Sequence, residues 1–211
     1  MTLFSMYEQK LIRLKDDQGN TFTGVADTFP AEYGMHEFGT EEEGIQLGEY
    51  LIFRSQIAKV EILPTYEEAV AAIPLGRYRH FKGNEYEVIA IARHSETEEA
   101  MVVYKALYGD GGIWCRPASM WNETVERGGR MYKRFYRLDR IERVEKYERL
   151  FDEVTACPDE EKLRLLDEYY TSGQWREDYE ADENGELPPD LKRGVLSQDA
   201  LYDLLTDAKA R

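Results

Sequence analysis

Residues 76–117 read "GRYRHFKGNEYEVIAIARHSETEEAMVVYKALYGDGGIWCRP", and this stretch decides the fold of the middle of the chain. Its apolar, β-branched and aromatic residues form four short runs, a composition typical of β-strands. Turn-forming residues separate the runs at Lys82 to Asn84, around His94, and at Asp110 to Gly112. The pattern predicts a compact, β-rich domain.

The same stretch, extended to Phe135, closely resembles a bacterial family of unknown function, DUF1653. The resemblance implies a compact β-rich fold, and it implies no activity because the family has none assigned. The matching residues follow one another in the order of the family: Tyr78, Arg79, His80, Lys82, Gly83, His94, Glu96, Thr97, Glu98, Val103, Tyr104, Trp114, Arg116, Pro117, Arg134 and Phe135.

Toward the N-terminus, the sequence again alternates with the period of β-strands. "KLIRLKD" (Lys10 to Asp16) places Leu11 and Arg13 on one face and Ile12 and Leu14 on the other, and "TFTGVADTF" returns as a second strand after a turn. The segments "IQL", "EYLIF" and "IAKVEIL" add three more short strands. Five short strands predict a small barrel.

Two segments of this region, "IRLKDDQGNTFTGVADTF" and "YLIFRSQIAKV", are similar to the two motifs of the Sm-like family. The resemblance covers about Tyr7 to Leu63 and implies an Sm/SH3-like β-barrel that binds RNA, with Arg54 as the basic residue of the second motif. Ser55 stands where the family has glycine, and Glu41 to Glu43 add negative charge. A barrel kept for protein contacts is the alternative interpretation.

The C-terminal third changes to the period of α-helices. Asp139 and Glu142 have the spacing of a capping box, which predicts a helix that begins at Asp139 and ends at Cys157. Pro158 suits the first position of a second helix that continues to Gly173, and Ser197 suits the cap of a last short helix.

Residues from about Leu163 to Leu205 resemble a second family of unknown function, DUF4298. The matching residues are "YY" (169–170), Ser172, Trp175, "DYEADE" (178–183), Gly185, Leu187, Pro188, "DLKRGVLS" (190–197) and "LYDLL" (201–205). Within this tail, Glu180, Asp182 and Asn184 have the spacing that begins a calcium loop, but Leu191 occupies the position where calcium needs a bidentate glutamate. We therefore predict a turn at Asn184-Gly185 and no metal site.

The predicted fold class is α+β, with a small β-barrel, a second small β-rich domain and a helical region. "PTYEEAVAAIP" begins at Pro64 and is bracketed by prolines, as expected for a boundary. The predicted domains are residues 1–63 (Sm-like β-barrel), 64–73 (linker or short helix), 74–138 (DUF1653-like domain) and 139–211 (helical DUF4298-like region).

Charge is distributed unevenly along the 211 residues, whose net charge is −15. Residues 1–73 hold 13 acids and 5 bases, residues 74–140 hold 9 and 12, and residues 141–211 hold 20 and 10. Only the middle is positive, so a contact with a polyanion is expected there. No apolar run has the roughly 20 residues of a spanning helix, and we predict a cytoplasmic protein that makes no membrane contact.

Cations and aromatic residues alternate in "GRYRHFKG" (76–83) and "RGGRMYKRFYRLDR" (127–140), a composition that holds single strands by charge and stacking. The basic residues of these stretches include Arg130, and they would meet on one face if the first and last strands of the domain pair; Tyr78, Tyr132 and Tyr136 would offer rings. The predicted nucleic-acid or partner-binding residues are Arg77, Arg79, His80, Lys82, His94, Trp114, Arg116, Lys133, Arg134 and Arg137.

We therefore predict a non-enzymatic, modular binding or adaptor protein without a cofactor, whose partner is another protein or single-stranded nucleic acid. The Sm-like resemblance also allows self-association through a barrel edge. The rival prediction is a metal-dependent or acid-base enzyme that uses His80, His94, Glu96 and Glu98. Cys115 and Cys157 lie in unlike contexts and are expected to be reduced, with Cys115 buried in a strand.

Overall fold

The structure is a computed structural model that describes residues 3–209, with the side chains of residues 3–207. It is a mixed α+β fold with β-sheets in the N-terminal and middle parts and helices in the C-terminal region. The chain forms two compact units. The first consists of Met1–Leu75, Ile89–Tyr104 and Ile113–Trp121, and the second of Gly76–Val88, Lys105–Gly112 and Asn122–Arg211.

The five strands predicted in the N-terminal region are present and form one sheet in the order β4-β3-β2-β1-β5. Ile12 and Leu14 of the first strand are fully buried, as the alternation predicts, and they pack against Ile45 and Ile52. Within the described residues, no strand pairing joins β4 to β5, so the sheet is not closed into the predicted barrel. The strands are β1 (Leu11–Asp16), β2 (Thr21–Phe29), β3 (Gly44–Leu47), β4 (Tyr50–Phe53) and β5 (Ile57–Ile62).

The acidic insertion after β2 contains a helix, α1 (Ala31–Phe38), that we did not predict from the sequence. Its N-cap is Pro30, which offers no side-chain acceptor, and Gly34 lies in its middle. A Cβ at Gly34 would lie 2.3 Å from the carbonyl oxygen of Glu42. Glycine is required here because the backbone of the following loop approaches the helix closely.

The middle of the chain forms a second five-stranded sheet in the order β12-β6-β7-β8-β9 and a separate two-stranded hairpin, β10-β11. The first and last strands of the sheet pair antiparallel, with His80 opposite Phe135 and Arg79 opposite Tyr136. The elements of this part are α2 (Tyr66–Ala72), β6 (Gly76–His80), β7 (Glu85–Arg93), β8 (Ala100–Ala106), β9 (Ile113–Pro117), α3 (Ala118–Trp121), β10 (Thr124–Arg127), β11 (Arg130–Lys133) and β12 (Phe135–Arg137).

The helical region consists of α4 (Leu138–Ala156), α5 (Glu160–Thr171), α6 (Gly173–Glu183) and α7 (Gln198–Lys209). The predicted end of α4 at Cys157 and the cap of α7 by Ser197 are confirmed, and Ser197 Oγ accepts from the backbone N–H of Ala200 at 3.4 Å. Asn184 caps the end of α6, and Gly185 follows it in the left-handed region at a φ of 66°. The predicted turn at this position is therefore confirmed.

Two of the predicted helix starts are wrong. The N-cap of α4 is Arg137, so Asp139 lies inside the first turn, where its carboxylate accepts from the Arg137 guanidinium. The carboxylate thus accepts from a charged neighbour as well as from the backbone N–H of Arg140. Pro158 lies outside α5, because Asp159 is the cap and accepts from the backbone N–H of Lys162 at 2.9 Å.

A buried carboxylate, that of Asp178, connects helices α4, α5 and α6 by hydrogen bonds. Asp178 on α6 is fully buried and accepts from Arg143 on α4 at 2.5 and 2.7 Å, and from the hydroxyl of Tyr169 on α5 at 2.8 Å. The ring of Tyr169 also stacks on Tyr147 of α4 at a centroid distance of 3.8 Å. The DUF4298-like region thus has its own core. None of the described helices has the length and apolar character needed to cross a membrane.

Candidate functional site

A cavity of about 690 Å³ lies in the second unit, and we refer to it as the basic cavity. The end of β6 and the turn after it form one part of the wall, the β10-β11 hairpin and β12 another, and the loop that precedes α7 a third. Its lining residues are Arg79, His80, Phe81, Gly83, Arg127, Gly128, Arg130, Tyr132, Tyr136, Pro188, Pro189 and Asp190.

Two arginines of the hairpin give the cavity its charge. Arg127 and Arg130 are paired directly across the hairpin, and the loop between them is only Gly128-Gly129. Both glycines have left-handed φ values, 61° and 76°, as a two-residue hairpin loop of this type requires. Like charges directly opposite each other destabilise a strand pair. An anion bound by both arginines would therefore stabilise the hairpin.

No acid among residues 3–209 forms an ion pair with Arg127 or Arg130, and both side chains are exposed. Arg79, the third arginine of the lining, is held by acids of its own chain, since its guanidinium lies 3.3 Å from Glu85 and 4.0 Å from Glu145. Asp190 is the single acid among the described lining residues. Of the three lining arginines, the two on the hairpin therefore remain for a ligand.

Aromatic rings lie beside these arginines. The rings of Phe81 and Tyr132 are 6.0 Å apart between centroids and inclined by 32°, and the His80 ring lies 4.4 Å from Phe81. Lys82 is exposed, with its Nζ 5.7 Å from the centre of the Phe81 ring. Phe81 and Tyr132 are both half-buried, so they retain surface that a flat ligand group can cover.

The other two tyrosines expected to offer rings are buried. Tyr78 and Tyr136 are 5% and 3% exposed. Burial raises the pKa of Tyr78 to about 12 and also raises the pKa of Tyr136, whose hydroxyl accepts from the backbone N–H of Lys133 at 2.9 Å. The two rings lie on opposite faces of the paired strands β6 and β12, because Tyr136 is opposite Arg79 and Tyr78 is opposite Arg137, and both faces are covered at these positions.

Besides Arg79, four of the predicted binding cations are ion-paired within the second unit. The distances between the charged groups are 2.7 Å for Arg77 and Glu142, 3.3 Å for Lys133 and Glu186, 2.5 Å for Arg134 and Glu123, and 2.5 Å for Arg137 and Asp139. Two of these acids, Glu142 and Glu186, belong to the acidic segment 141–211. The positive balance of the middle segment is therefore largely neutralised by the chain itself.

The remaining predicted residues lie in the first unit. The Trp114 side chain is exposed, and the Arg116 guanidinium lies 5.6 Å from the centre of the Tyr104 ring. The prediction that Cys115 is buried is wrong, because Cys115 is exposed. The physical reason is that β9 is the edge strand of its sheet and leaves its first three residues open to solvent.

The residues of the rival enzyme hypothesis serve local structure. His94 Nδ1 accepts from the backbone N–H groups of Glu96 and Thr97 at 3.3 Å, so the imidazole closes its own turn. His80 Nδ1 accepts from the N–H of Lys82 at 3.2 Å in the same way. Across residues 3–209, no group of three His, Cys, Asp or Glu side chains is arranged to hold a metal ion.

Sequence reasoning missed Arg127 and Phe81 and named Arg130 only among the basic residues of the domain. The signal for the arginine pair was the symmetric stretch "RGGR", because two glycines between strand residues predict a two-residue hairpin that makes Arg127 and Arg130 neighbours. No local signal distinguishes these two arginines from the paired Arg134 and Arg137.

Comparisons with known proteins match two segments of the chain. Residues 76–137 match the family described as "Protein of unknown function (DUF1653)", and residues 137–210 match the "Domain of unknown function (DUF4298)". A crystal structure of a DUF1653 protein from Bordetella bronchiseptica is 40% identical over an alignment that covers 31% of this chain and 87% of that chain, with a TM-score of 0.30. No curated protein matches the chain.

These matches confirm the resemblance of the middle and C-terminal segments to the two families. Both matched segments lie C-terminal to Leu75, so the resemblance of residues 7–63 to the Sm-like family stays a prediction. The basic cavity is lined by residues from both matched segments, since Pro188, Pro189 and Asp190 belong to the second and its other lining residues to the first.

Proposed function

We propose that this chain, with its DUF1653 and DUF4298 segments, is a non-enzymatic binding protein whose basic cavity holds single-stranded nucleic acid. One observation carries the proposal: Arg127 and Arg130, without an acid partner among the described residues, line the same cavity as the half-buried rings of Phe81 and Tyr132. Cations and ring faces together are what a sequence-tolerant nucleic-acid site needs.

The chemistry of these groups suits nucleotides. A guanidinium offers a planar fork of N–H donors that fits phosphate oxygens and keeps its charge at any physiological pH. An exposed ring face stacks on a base, and every base has such a face, so little base preference is expected. The cavity volume of about 690 Å³ lies within the range of ligand sites, roughly 300–1,000 Å³.

An acidic protein segment is the competing ligand, because carboxylates also pair with arginine. The rings favour nucleic acid, since an acidic peptide would leave Phe81 and Tyr132 uncovered. The enzyme hypothesis draws no support from the described residues, because His80 and His94 direct Nδ1 at the backbone of their own turns.

Direct titration tests the proposal. The full chain is titrated into fluorescently labelled single-stranded RNA and DNA at low and at physiological salt, beside an Arg127→Glu, Arg130→Glu double variant. We expect wild type to bind both nucleic acids and the variant to bind at least about tenfold more weakly, because two phosphate contacts become repulsive.

Arg176→Glu is the matched control. Arg176 lies in the same unit and is also exposed, but it does not line the basic cavity, so reversing its charge should leave binding almost unchanged. If wild type binds neither nucleic acid, or if the folded double variant binds as tightly as wild type, the proposal is wrong. Binding of a poly-glutamate peptide in place of the nucleic acids would identify a protein adaptor instead.

Three further expectations about the whole protein belong with this proposal. We propose that the N-terminal sheet is Sm-like, supported by its five antiparallel strands and by the two motif-like segments. We also propose that its edge strands, β4 and β5, allow self-association, which light scattering on the purified chain would test by mass. A cytoplasmic location is proposed from the composition alone.

A further inference from the structure

We infer that the basic cavity takes one or two nucleotides, either free or at the end of a strand, and not the middle of a long strand. This inference rests on the proposed function and names the ligand class of the same site. It follows from the volume of the cavity, from the charges around it and from the acid in its wall.

The volume fits a small ligand. Sites of this size enclose most of the surface of one drug-sized molecule, and a nucleoside monophosphate is a molecule of that size. By contrast, proteins that follow a single strand use a continuous basic groove of about 4–16 nucleotides. A cavity of about 690 Å³ has room for a base, its sugar and the adjacent phosphates only.

Beyond the hairpin arginines and the exposed Lys82 beside Phe81, the described cations next to the hairpin and on the paired strands are held by acids of the chain. Next to the hairpin in sequence, Lys133 and Arg134 are already paired with Glu186 and Glu123. On the neighbouring paired strands, Arg77 and Arg137 are held by Glu142 and Asp139. A phosphate that competed for any of them would have to displace an acid fixed on the chain at high local concentration.

The acids themselves confine the ligand. Asp190 is part of the cavity wall and repels a phosphate placed beside it, so phosphates are restricted to the region of Arg127 and Arg130. Residues 141–211 carry 20 acids and 10 bases, and this excess would repel the remainder of a long strand. Only the groups that the cavity itself holds therefore add to the affinity.

Length dependence tests the inference. The full chain is titrated with uridine 5′-monophosphate and with oligouridylates of 2, 4, 8 and 16 nucleotides. We expect the affinity to rise from one to two nucleotides. The affinities for the longer oligouridylates should then stay within about threefold of that for the dinucleotide. For two or three phosphate contacts, the slope of log K against log salt should be about −1.4 to −2, because each contact on a single strand contributes about −0.7.

A circular single-stranded DNA and a linear one of the same length and sequence distinguish the sources of the nucleotide. If the cavity takes a strand end, the linear DNA competes with labelled dinucleotide and the circular DNA competes at least tenfold less well. If uridine 5′-monophosphate competes and neither DNA does, the ligand is a free nucleotide, which keeps the ligand size inferred here but overturns the proposed binding of single-stranded nucleic acid. Equal competition by circular and linear DNA overturns the inference.

The outcomes separate the two proposals. A tenfold or larger gain between 2 and 16 nucleotides, with a salt slope near −4, overturns the inference alone, provided that the Arg127→Glu, Arg130→Glu variant still loses binding. Absence of binding by every ligand overturns both. Both hairpin positions are exposed, so their substitution should not disturb folding. An Arg127→Gln, Arg130→Gln variant, which removes only the charge, should also bind more weakly than wild type and with a shallower salt slope.

Discussion

The hairpin arginines and the cations that follow them in sequence are alike in residue type but differ in their environment. Arg127 and Arg130 have no ion-pair partner within residues 3–209, whereas Lys133, Arg134 and Arg137 are each held by an acid of the same unit. The tyrosines divide in the same way, because Tyr132 keeps an open face while Tyr78 and Tyr136 are buried. One basic-aromatic segment thus supplies both the ion pairs and buried rings that stabilise the unit and the exposed groups of its candidate site.

The largest effect is expected where an arginine is paired with a buried acid. Replacing Asp178 with alanine leaves the guanidinium of Arg143 without its bidentate partner and the Tyr169 hydroxyl without its acceptor. Removing one partner of a buried pair costs roughly 3–5 kcal/mol. Urea unfolding should show a loss of this size in the free energy of unfolding.

Glu177→Ala provides the matched comparison, because Glu177 also faces Arg143, at 3.8 Å, but is mostly exposed. Its loss should change the free energy of unfolding by less than about 1 kcal/mol. Equal effects of the two substitutions would show that burial does not decide the strength of these pairs.

The second largest effect concerns the buried tyrosine. Burial raises the pKa of Tyr78 to about 12 from its ordinary value near 10. A raised folded-state pKa means that this contribution to stability is complete below pH 10 and is lost as the pH rises from 10 to 12. With about 1.4 kcal/mol per pKa unit, the loss is on the order of 2–3 kcal/mol.

Tyr78→Phe removes the ionisable group and should make the free energy of unfolding less dependent on pH in this alkaline range. Urea unfolding of both proteins between pH 8 and pH 11 measures the effect. The difference between their free energies of unfolding at pH 8 gives the cost of removing the hydroxyl itself, and the change in this difference at higher pH reports the ionisation. Parallel curves for the two proteins would contradict the assignment to Tyr78.

A smaller effect is expected at Glu186, which pairs with Lys133 at 3.3 Å and with Arg140 at 2.7 Å. Burial would raise the pKa of this carboxyl, but the two cations outweigh it and the pKa is lowered. The stability from Glu186 is therefore present above the carboxyl's ordinary pKa and is lost as the pH falls below it. Glu186→Gln should cost about 1 kcal/mol at pH 7 and nothing in acid, as measured by urea unfolding.

The same variant sharpens the comparison of free and paired cations. If Glu186 occupies Lys133, its removal should release one cation, strengthen binding of a 16-nucleotide strand severalfold at low salt, and steepen the salt slope by about 0.7. Unchanged binding by Glu186→Gln would mean that Lys133 is too far from the site to reach a phosphate.

The smallest effect is expected at the hairpin itself. Arg127→Ala removes one of two like charges that lie directly opposite each other, and such pairs are destabilising by a few tenths to about 1 kcal/mol. The variant should therefore be slightly more stable than wild type while it binds nucleic acid more weakly. Glu126→Ala, on the same strand but opposite Met131, is the control and should not stabilise the protein.

Much of the secondary structure could be predicted from the sequence because its causes are local. The alternation in β1 placed Ile12 and Leu14 together on one face, which is the buried face of the strand, and Gly83 and Gly185 marked turns that need a left-handed backbone. The end of α4 at Cys157 followed from the proline after it. Matches to the two families lie in the segments where the sequence resembled them.

The errors arose where a neighbour distant in sequence, or the position of a strand within its sheet, decides the outcome. Helix α1 was not predicted; its central Gly34 disfavours a helix by local propensity, and the close approach of the Glu42 backbone explains the glycine. Cys115 was expected to be buried because it alternates in a strand, but sequence alternation does not tell an edge strand from a central one.

By itself, the sequence determined the period of each segment, the turns and the basic-aromatic character of residues 127–140, because these depend on residues a few positions apart. Only the tertiary structure decided which cations are free. Lys133 meets Glu186, which lies 53 residues further along the chain, while Arg127 and Arg130 project from a glycine hairpin with no acid partner in the described chain. An ion pair depends on distance in space, and the fold brings those charges together.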